Sequence, residues 1–227
     1  MLYETIFTRR SVRQFDPASL DTEALAAVEA ALAQTEQLPG QAARLTLVQG
    51  KDCKGLSAPH AILAHSAAED MALCNVGYTL QGLDLQLQGM GLGSLWMGMA
   101  KPLEPAPDYR ILLAFGKTAA PSRKNESEFK RREVLEISNE DNPVARAARL
   151  APSAINLQPW QLAFEAGKVT LRFAPRGIVK VFSPRMQKID LGICLRHITL
   201  ALVRDGKQIQ AIAPAGQGKQ FCVEVTY

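Results

Sequence analysis

NVGYTLQGLDLQLQGMG, residues 75–91, laid over DLGICLRHITLALVRDG, residues 190–206, decides how this chain is read. Gly77 meets Gly192, Leu80 meets Leu195, Leu85 meets Leu200, Leu87 meets Leu202 and Gly91 meets Gly206. Apolar residues recurring at three and four, as Leu80, Leu83, Leu87 and Met90 do, mark the core-facing stripe of a helix. Such a stripe requires no glycines, so the two shared glycines point to an internal duplication. FTRRSV (7–12) and FKRREV (129–134) repeat as well. The expected fold is α+β: two pseudo-symmetric lobes, residues 1–125 and 126–227, each a mixed β-sheet flanked by helices. The lobes pack about a pseudo-twofold axis, as a dimer written in one polypeptide.

The flanking segments fit this plan. A short helix is expected at 3–9 and a second at about 21–35, with Asp21 as N-cap. RLTLVQGK (44–51) alternates like a strand, HAILAHS (60–66) follows as another, and the long helix spans 69–91. GLGSLWMG (91–98) ends that helix in a turn, and the apolar RILLAFG (110–116) is a central strand. KTAAPSRKNESEFKRRE (117–133) is the best linker candidate. A helix near 142–150, strands near 160–166 and 168–173, a long helix near 187–204, and strands near 208–213 and 220–226 complete the second lobe.

Composition excludes several classes. The chain has 227 residues, 47% apolar and 21% charged, enough to bury a sizeable core. Its net charge of +4 is weak and evenly spread, so nucleic acid is not an expected partner. The N-terminal MLYETIFTRR shows no secretory signal and no apolar run has membrane-spanning length, so a cytoplasmic location is expected. Cys53, Cys74, Cys194 and Cys222 match no zinc or redox spacing and read as reduced thiols. His60, His65 and His197 have no ligand spacing, so no metal site is expected.

Three short stretches could carry chemistry. RRSVR gathers Arg9, Arg10, Ser11 and Arg13. On a helix Arg9 and Arg13 share a face and repel unless an anion lies between them; the planar guanidinium fork suits phosphate. The plainer reading is solvated arginines or pairing with Glu4 or Asp16. Gly89, Gly91 and Gly93, leading into GLGSLWMG, are spaced every second residue and follow a helix, so this is not the dinucleotide fingerprint. It is a helix stop, or a turn offering amides near Trp96, Met97 and Gly98. In APSAINLQPW (151–160), Pro152 and Pro159 fix the ends, Ser153, Asn156 and Gln158 offer polar groups, and Ala154 leaves room for something flat. No Ser-His-Asp, Cys-His or paired-carboxylate arrangement is visible. An enzyme built this way leans on an organic cofactor, and no catalytic side chain is assigned.

Together IFTRRSVRQFD, NVGYTLQGLDLQLQGMGLGSLWMG, ILLAFGK and APSAINLQPWQLAF resemble the FMN-dependent nitroreductase family over most of the chain. In the usual member all these motifs lie in one copy, and two chains build FMN sites at their interface. Here TEQLPGQAA (35–43), at the matching place of the first half, lacks the Pro, Ser and Asn found at 152–156, while FKRREVL lacks the serine and third arginine of the first cluster. The chain is thus similar to single-chain relatives whose degenerate halves mimic the family dimer. The resemblance implies one FMN per chain. Arg9, Arg10, Ser11 and Arg13 would hold its phosphate and ribityl side, and Pro152, Ser153, Ala154 and Asn156 would meet the flavin. Trp96, Met97, Gly98 and Met99 would supply contacts near its reactive edge. Lys130 and Arg132 are either a further phosphate contact or relics of the second arginine cluster.

The implied activity is an NAD(P)H oxidoreductase reducing a nitroaromatic, quinone or similar small acceptor by ping-pong hydride transfer, as a monomer or homodimer. A module that holds FMN or another phosphorylated ligand without turnover is the alternative, and a scaffold that has lost flavin is a third.

Overall fold

The computed structural model describes residues 2–175 and 184–227. In chain order the elements are α1 (Leu2–Ile6), α2 (Thr22–Ala33), β1 (Arg44–Gln49), β2 (Cys53–Lys54), β3 (His60–His65), α3 (Asp70–Gly89), β4 (Gly93–Met97), β5 (Lys101–Pro102), β6 (Tyr109–Gly116), α4 (Val134–Ile137) and α5 (Pro143–Arg149). β7 (Trp160–Glu165), β8 (Lys168–Phe173), α6 (Pro184–Arg204), β9 (Ala211–Ala215) and β10 (Cys222–Thr226) follow. Asp21 caps α2 as expected, its carboxylate accepting from the Ala24 amide at 2.9 Å.

Two four-stranded sheets form, ordered β1-β3-β6-β4 and β7-β8-β10-β9. Strand for strand the two orders are the same, and in each sheet the long helix joins the second strand to the third. β6 and β10 lie inside their sheets.

Mixed sheets were expected, but every pairing within the two sheets is antiparallel. The reason is topological. The α3 and α6 crossovers do join parallel strands, β3 to β4 and β8 to β9. The last strand of each half then returns between them and separates the parallel pair. Among the described residues parallel pairing survives only as two single bridges, Ser11 to Ser94 and Ser138 to Leu162.

GLGSLWMG also departs from expectation. Only Gly91 turns, at φ +81°, where a left-handed backbone favours glycine; Gly93–Met97 is the edge strand β4, paired with β6. The N-terminal helix stops at Ile6 rather than residue 9, because Val12 donates its amide to Ser94 O at 2.9 Å and the chain joins β4.

One apolar core runs through both halves: Ile62, Leu113 and Phe115 of the first sheet, Leu171 and Val223 of the second, and the stripes of α3 and α6. A smaller cluster, including Ala61, Leu63 and Leu112, covers the other face of the first sheet. The long helices cross at their glycines. A Cβ on Gly77 would overlap Ile189 O and stand 2.9 Å from Ile193 N; on Gly192 it would overlap Cys74 O and stand 2.7 Å from Tyr78 N.

Candidate functional site

The first arginine cluster is reorganised by the early end of α1. Arg9 is 2% exposed and does not share a helix face with Arg13. Its Nε donates to Asp84 Oδ2 of α3 at 3.0 Å, a partner 75 residues away rather than Glu4 or Asp16. Asp84 is fully buried and also accepts from Gln88 Nε2 at 3.0 Å and, through a short hydrogen bond, from Ser94 Oγ. A buried ion pair of this kind is tolerated because its lone pairs are satisfied. Arg9 Nη2, although buried, has no partner among the described residues. Arg10 donates its backbone amide to Gln88 Oε1 and its Nη1 to Pro121 O, both at 2.8 Å. Arg13 is exposed.

The 151–160 loop is a strained turn. Ile155, Asn156 and Gln158 have φ of 42°, 62° and 49°, values that side-chain-bearing residues adopt at a cost. The sequence holds them there with its own polar groups. Gln158 donates its amide to Ser153 Oγ at 2.9 Å, its carboxamide oxygen accepts from Arg132 N at 3.1 Å, and Asn156 Nδ2 donates to Lys130 O at 2.8 Å. Ala154 N donates to Asp190 Oδ1 of α6 at 3.1 Å.

A cleft of about 150 Å³ opens where this loop meets the first half. Ser11, Arg13, Leu95, Trp96, Gly98 and Ile111 line one side; Pro152, Ser153, Ala154, Ile155, Met186, Asp190 and Ile193 line the other. The fold therefore brings together seven of the residues singled out in the sequence: Ser11, Arg13, Trp96, Gly98, Pro152, Ser153 and Ala154. Two cleft-lining side chains carry buried polar atoms without a hydrogen-bond partner among the described residues, Trp96 Nε1 and Asp190 Oδ2. Burial pushes the Asp190 carboxyl up to about 8, against which the Ala154 hydrogen bond works weakly.

Beside the cleft the structure gathers cations. Arg131 reaches Asn156 Oδ1 at 2.7 Å, and Arg123 donates to Arg9 O through a short hydrogen bond. The Arg123 guanidinium lies 4.2 Å from the centroid of the Phe129 ring, and that of Arg131 5.7 Å from it. Burial, then the charges of Arg9, Arg123 and Arg149, push Arg131 down to about 9. Burial, then Arg9 and Arg10, pulls Arg123 down as well. Arg131 Nε is buried without a partner among the described residues. Converging guanidiniums that depress one another, with unspent donors, are the electrostatic form of an anion site.

Arg123, Arg131 and Asp190 do not stand out in the sequence. PSRK and KRRE are charged linker segments there, and only folding shows which arginine turns inward. Of the expected positions, Lys130 is exposed and offers its backbone oxygen to Asn156, while Arg132 pairs with Glu136 at 3.4 Å. Neither lines the cleft. Asn156 is turned to Arg131 rather than into the cleft, Met97 lies in β4, and Met99 is 91% exposed.

The histidines hold structural positions. His197 is fully buried; its Nδ1 lies 2.9 Å from Ala147 O and its Nε2 3.2 Å from Gln81 Nε2. Burial holds it down to about 3, so it is neutral, donating from Nδ1 and accepting at Nε2. Among the described residues no group of three or more metal-ligating side chains forms, and no helix is long and apolar enough to cross a membrane.

Two antiparallel sheets around a pair of crossing helices, with a cleft beside clustered arginines, define a nitroreductase-like α+β protein. Residues 1–202 match the family model described as "Putative TM nitroreductase", and the chain belongs to that nitroreductase family. Among solved structures, a protein of Thermotoga maritima described as a putative nitroreductase is 21% identical with a TM-score of 0.72, over 99% of this chain and 93% of that one. A nitroreductase family protein of Clostridium difficile is 18% identical with a TM-score of 0.50, over 63% of this chain and 99% of that one. No curated protein matches.

Proposed function

We propose that this chain is an FMN-dependent oxidoreductase that passes reducing equivalents from NADH or NADPH to a small acceptor such as a quinone or nitroaromatic. The observation that carries this reading is the set of unspent buried polar atoms. Arg9 Nη2 and Arg131 Nε wait at the cationic end, Trp96 Nε1 and Asp190 Oδ2 at the cleft. A ligand with an anion at one end and a flat hydrogen-bonding ring at the other meets Arg9, Arg131 and Trp96, and leaves Asp190 facing whatever reacts beside the ring. FMN is such a ligand, and when bound it supplies hydride chemistry that no side chain here can perform.

The chain's own residues hold, orient and exclude water. Arg9, Arg123 and Arg131 hold the phosphate, and its charge relieves their mutual repulsion. Asn156 keeps Arg131 in place. Ser11, Trp96, Gly98 and the Pro152–Ala154 segment flank the ring. Whole small ligands fill about 300 Å³ or more, so one entering a cleft of about 150 Å³ continues beyond it, along the loop toward Arg131. Arg13, at the rim, favours negative charge on a reduced ring.

The chain further acts as its own partner subunit, with one such site. That reading is supported by the matched strand orders, the reciprocal glycines, and two equivalent anchors: Leu38 N donates to Asn75 Oδ1 at 2.8 Å as Ala154 N does to Asp190. In the first half the corresponding loop spends Glu36 on Arg196, at 2.6 Å, and on Tyr78. The purified chain reconstituted with FMN should bind one flavin and oxidise NAD(P)H with a quinone or nitroaromatic. Two flavins per chain would refute the single site. Bound flavin without turnover on any acceptor would leave a ligand-holding module.

A further inference from the structure

We infer that Asp190 is a catalytic residue: a neutral carboxylic acid that delivers the proton an acceptor needs when it is reduced in the cleft. This rests on the oxidoreductase reading above.

The geometry begins with two equivalent positions. Asn75 on α3 and Asp190 on α6 each accept the amide of the loop that precedes their half's first strand, from Leu38 at 2.8 Å and Ala154 at 3.1 Å. Anchoring that loop needs one side-chain oxygen, and a carboxamide provides it in the first half. The rest of Asn75 is spent inside the protein, its Nδ2 donating to Gln37 Oε1 at 3.0 Å. Asp190 has a second oxygen, and it is unspent. Its side chain is 4% exposed and lines the cleft. What an aspartate adds over asparagine at this position is a removable proton.

The surroundings keep that proton on. Cys74 of α3 and Cys194 of α6 are buried thiols held neutral by desolvation, and Tyr78 of α3 is likewise raised. Lys188, on the same helix, is committed to Asp70 at 2.5 Å. The loop segment Pro152–Ile155 and the facing Leu95, Trp96 and Ile111 bring no charge. Arg13 is the one charged side chain besides Asp190 among the described residues that line the cleft, and it lies at the exposed rim. A carboxyl left without a cation in a dry site stays protonated near neutrality, where it works best as an acid.

A quinone reduced to a hydroquinone gains two electrons and two protons. One proton arrives with the electron pair as hydride, originating in the reduced nicotinamide. The second comes from Asp190: its O–H bond breaks as the O–H bond of the quinone's other oxygen forms, and water then reprotonates the carboxylate.

The test uses the FMN-loaded full chain. The rate at which benzoquinone reoxidises the reduced protein is followed by stopped flow on both sides of pH 8, for the wild type and Asp190→Asn. Asparagine keeps the loop anchor, as Asn75 does, but cannot give up a proton. The wild-type rate should fall about tenfold per pH unit above pH 8. The variant should be at least about tenfold slower below that pH and flat across it, with each rate taken per bound FMN. A second readout needs no flavin: the Asp190 carboxyl carbon resonance of the flavin-free chain should titrate near pH 8. A variant with wild-type rate and pH profile, or a carboxyl ionised throughout the neutral range, overturns the inference. The wild-type profile and the resonance decide the matter even if the variant does not fold. A wild type that takes up no FMN sinks the oxidoreductase reading itself. A wild type that is loaded and reoxidised while Asp190→Asn matches it sinks only the role of Asp190.

Discussion

Gly77 and Gly192 are reciprocal. The absent Cβ of each faces the carbonyl three residues before the other glycine and the amide one residue after it: Ile189 and Ile193 for Gly77, Cys74 and Tyr78 for Gly192. The two long helices cross with backbone against backbone, and both strand orders are built out from this crossing.

Gly77→Ala and Gly192→Ala should therefore each cost more than about 4 kcal/mol, since the new methyl meets main chain that cannot yield. Gly82→Ala on the same helix should cost far less, because its Cβ would stand 3.1 Å from Arg196 Nε, a side-chain atom. Urea denaturation of the three variants checks the order, and equal losses would contradict it.

Asp84 neutralises Arg9 where neither has access to water. Asp84→Ala should destabilise the chain by about 3–5 kcal/mol, as expected when one member of a buried pair is removed. Lys117→Ala, which breaks only the exposed pair with Asp21, should leave stability nearly unchanged. Thermal unfolding of both variants is the comparison.

Arg131 is depressed to about 9 chiefly by burial and then by Arg9, Arg123 and Arg149, so an anion placed among them is strongly favoured. Phosphate should raise the melting temperature of the flavin-free chain. Arg131→Met should weaken FMN binding by about tenfold or more, the loss of a hydrogen bond to a charged group. Fluorescence titration measures this, and an unchanged affinity would place the phosphate elsewhere.

Asn156 accepts from Arg131 rather than reaching into the cleft, so the role proposed for it in ligand binding runs through Arg131. Asn156→Ala should lower FMN affinity, yet add little once Arg131 is already Met. A double-mutant cycle with a coupling of about 0.5 kcal/mol or more is expected; additive losses would mean that Asn156 works alone.

The raised Asp190 carboxyl sets a sign for stability against pH. With a folded value of about 8 and an ordinary value of 3.8, the folded chain keeps the proton through a range in which the unfolded chain has released it. Its stabilising contribution is complete below pH 3.8 and is lost as the pH rises to about 8. Asp190→Asn, which cannot ionise, should gain on the wild type between pH 5 and pH 8, by a few kcal/mol at most. Urea denaturation of the flavin-free proteins at the two pH values reads the difference.

Much of this was legible in the sequence because it is local. The leucine stripe of residues 75–91 and its echo at 190–206 marked the long helices, Asp21 marked a helix start, and alternation in RLTLVQGK (44–51) marked a strand. The match of Gly77 to Gly192 is legible in the sequence, whereas the backbone contact at the two glycines belongs to the fold. The family, too, was readable from short motifs spread over most of the chain. What lies between distant residues was not. No spacing ties Arg9 to Asp84, and none tells Arg131 from its neighbours Lys130 and Arg132, because three consecutive basic residues differ only in which one the backbone aims inward. GLGSLWMG looked like a turn because glycines mark turns, but pairing with β6 made it a strand. The antiparallel sheets arose because β6 and β10 return between strands that run parallel. Asp190 could not be singled out as an acid, since a carboxyl keeps its proton only where the assembled fold removes water and withholds a cation. The sequence by itself determined the helices and the strands, which depend on neighbours along the chain. The tertiary structure alone decided which charges are buried, which are paired and which are left unspent, because desolvation and Coulomb energy depend on distance in space.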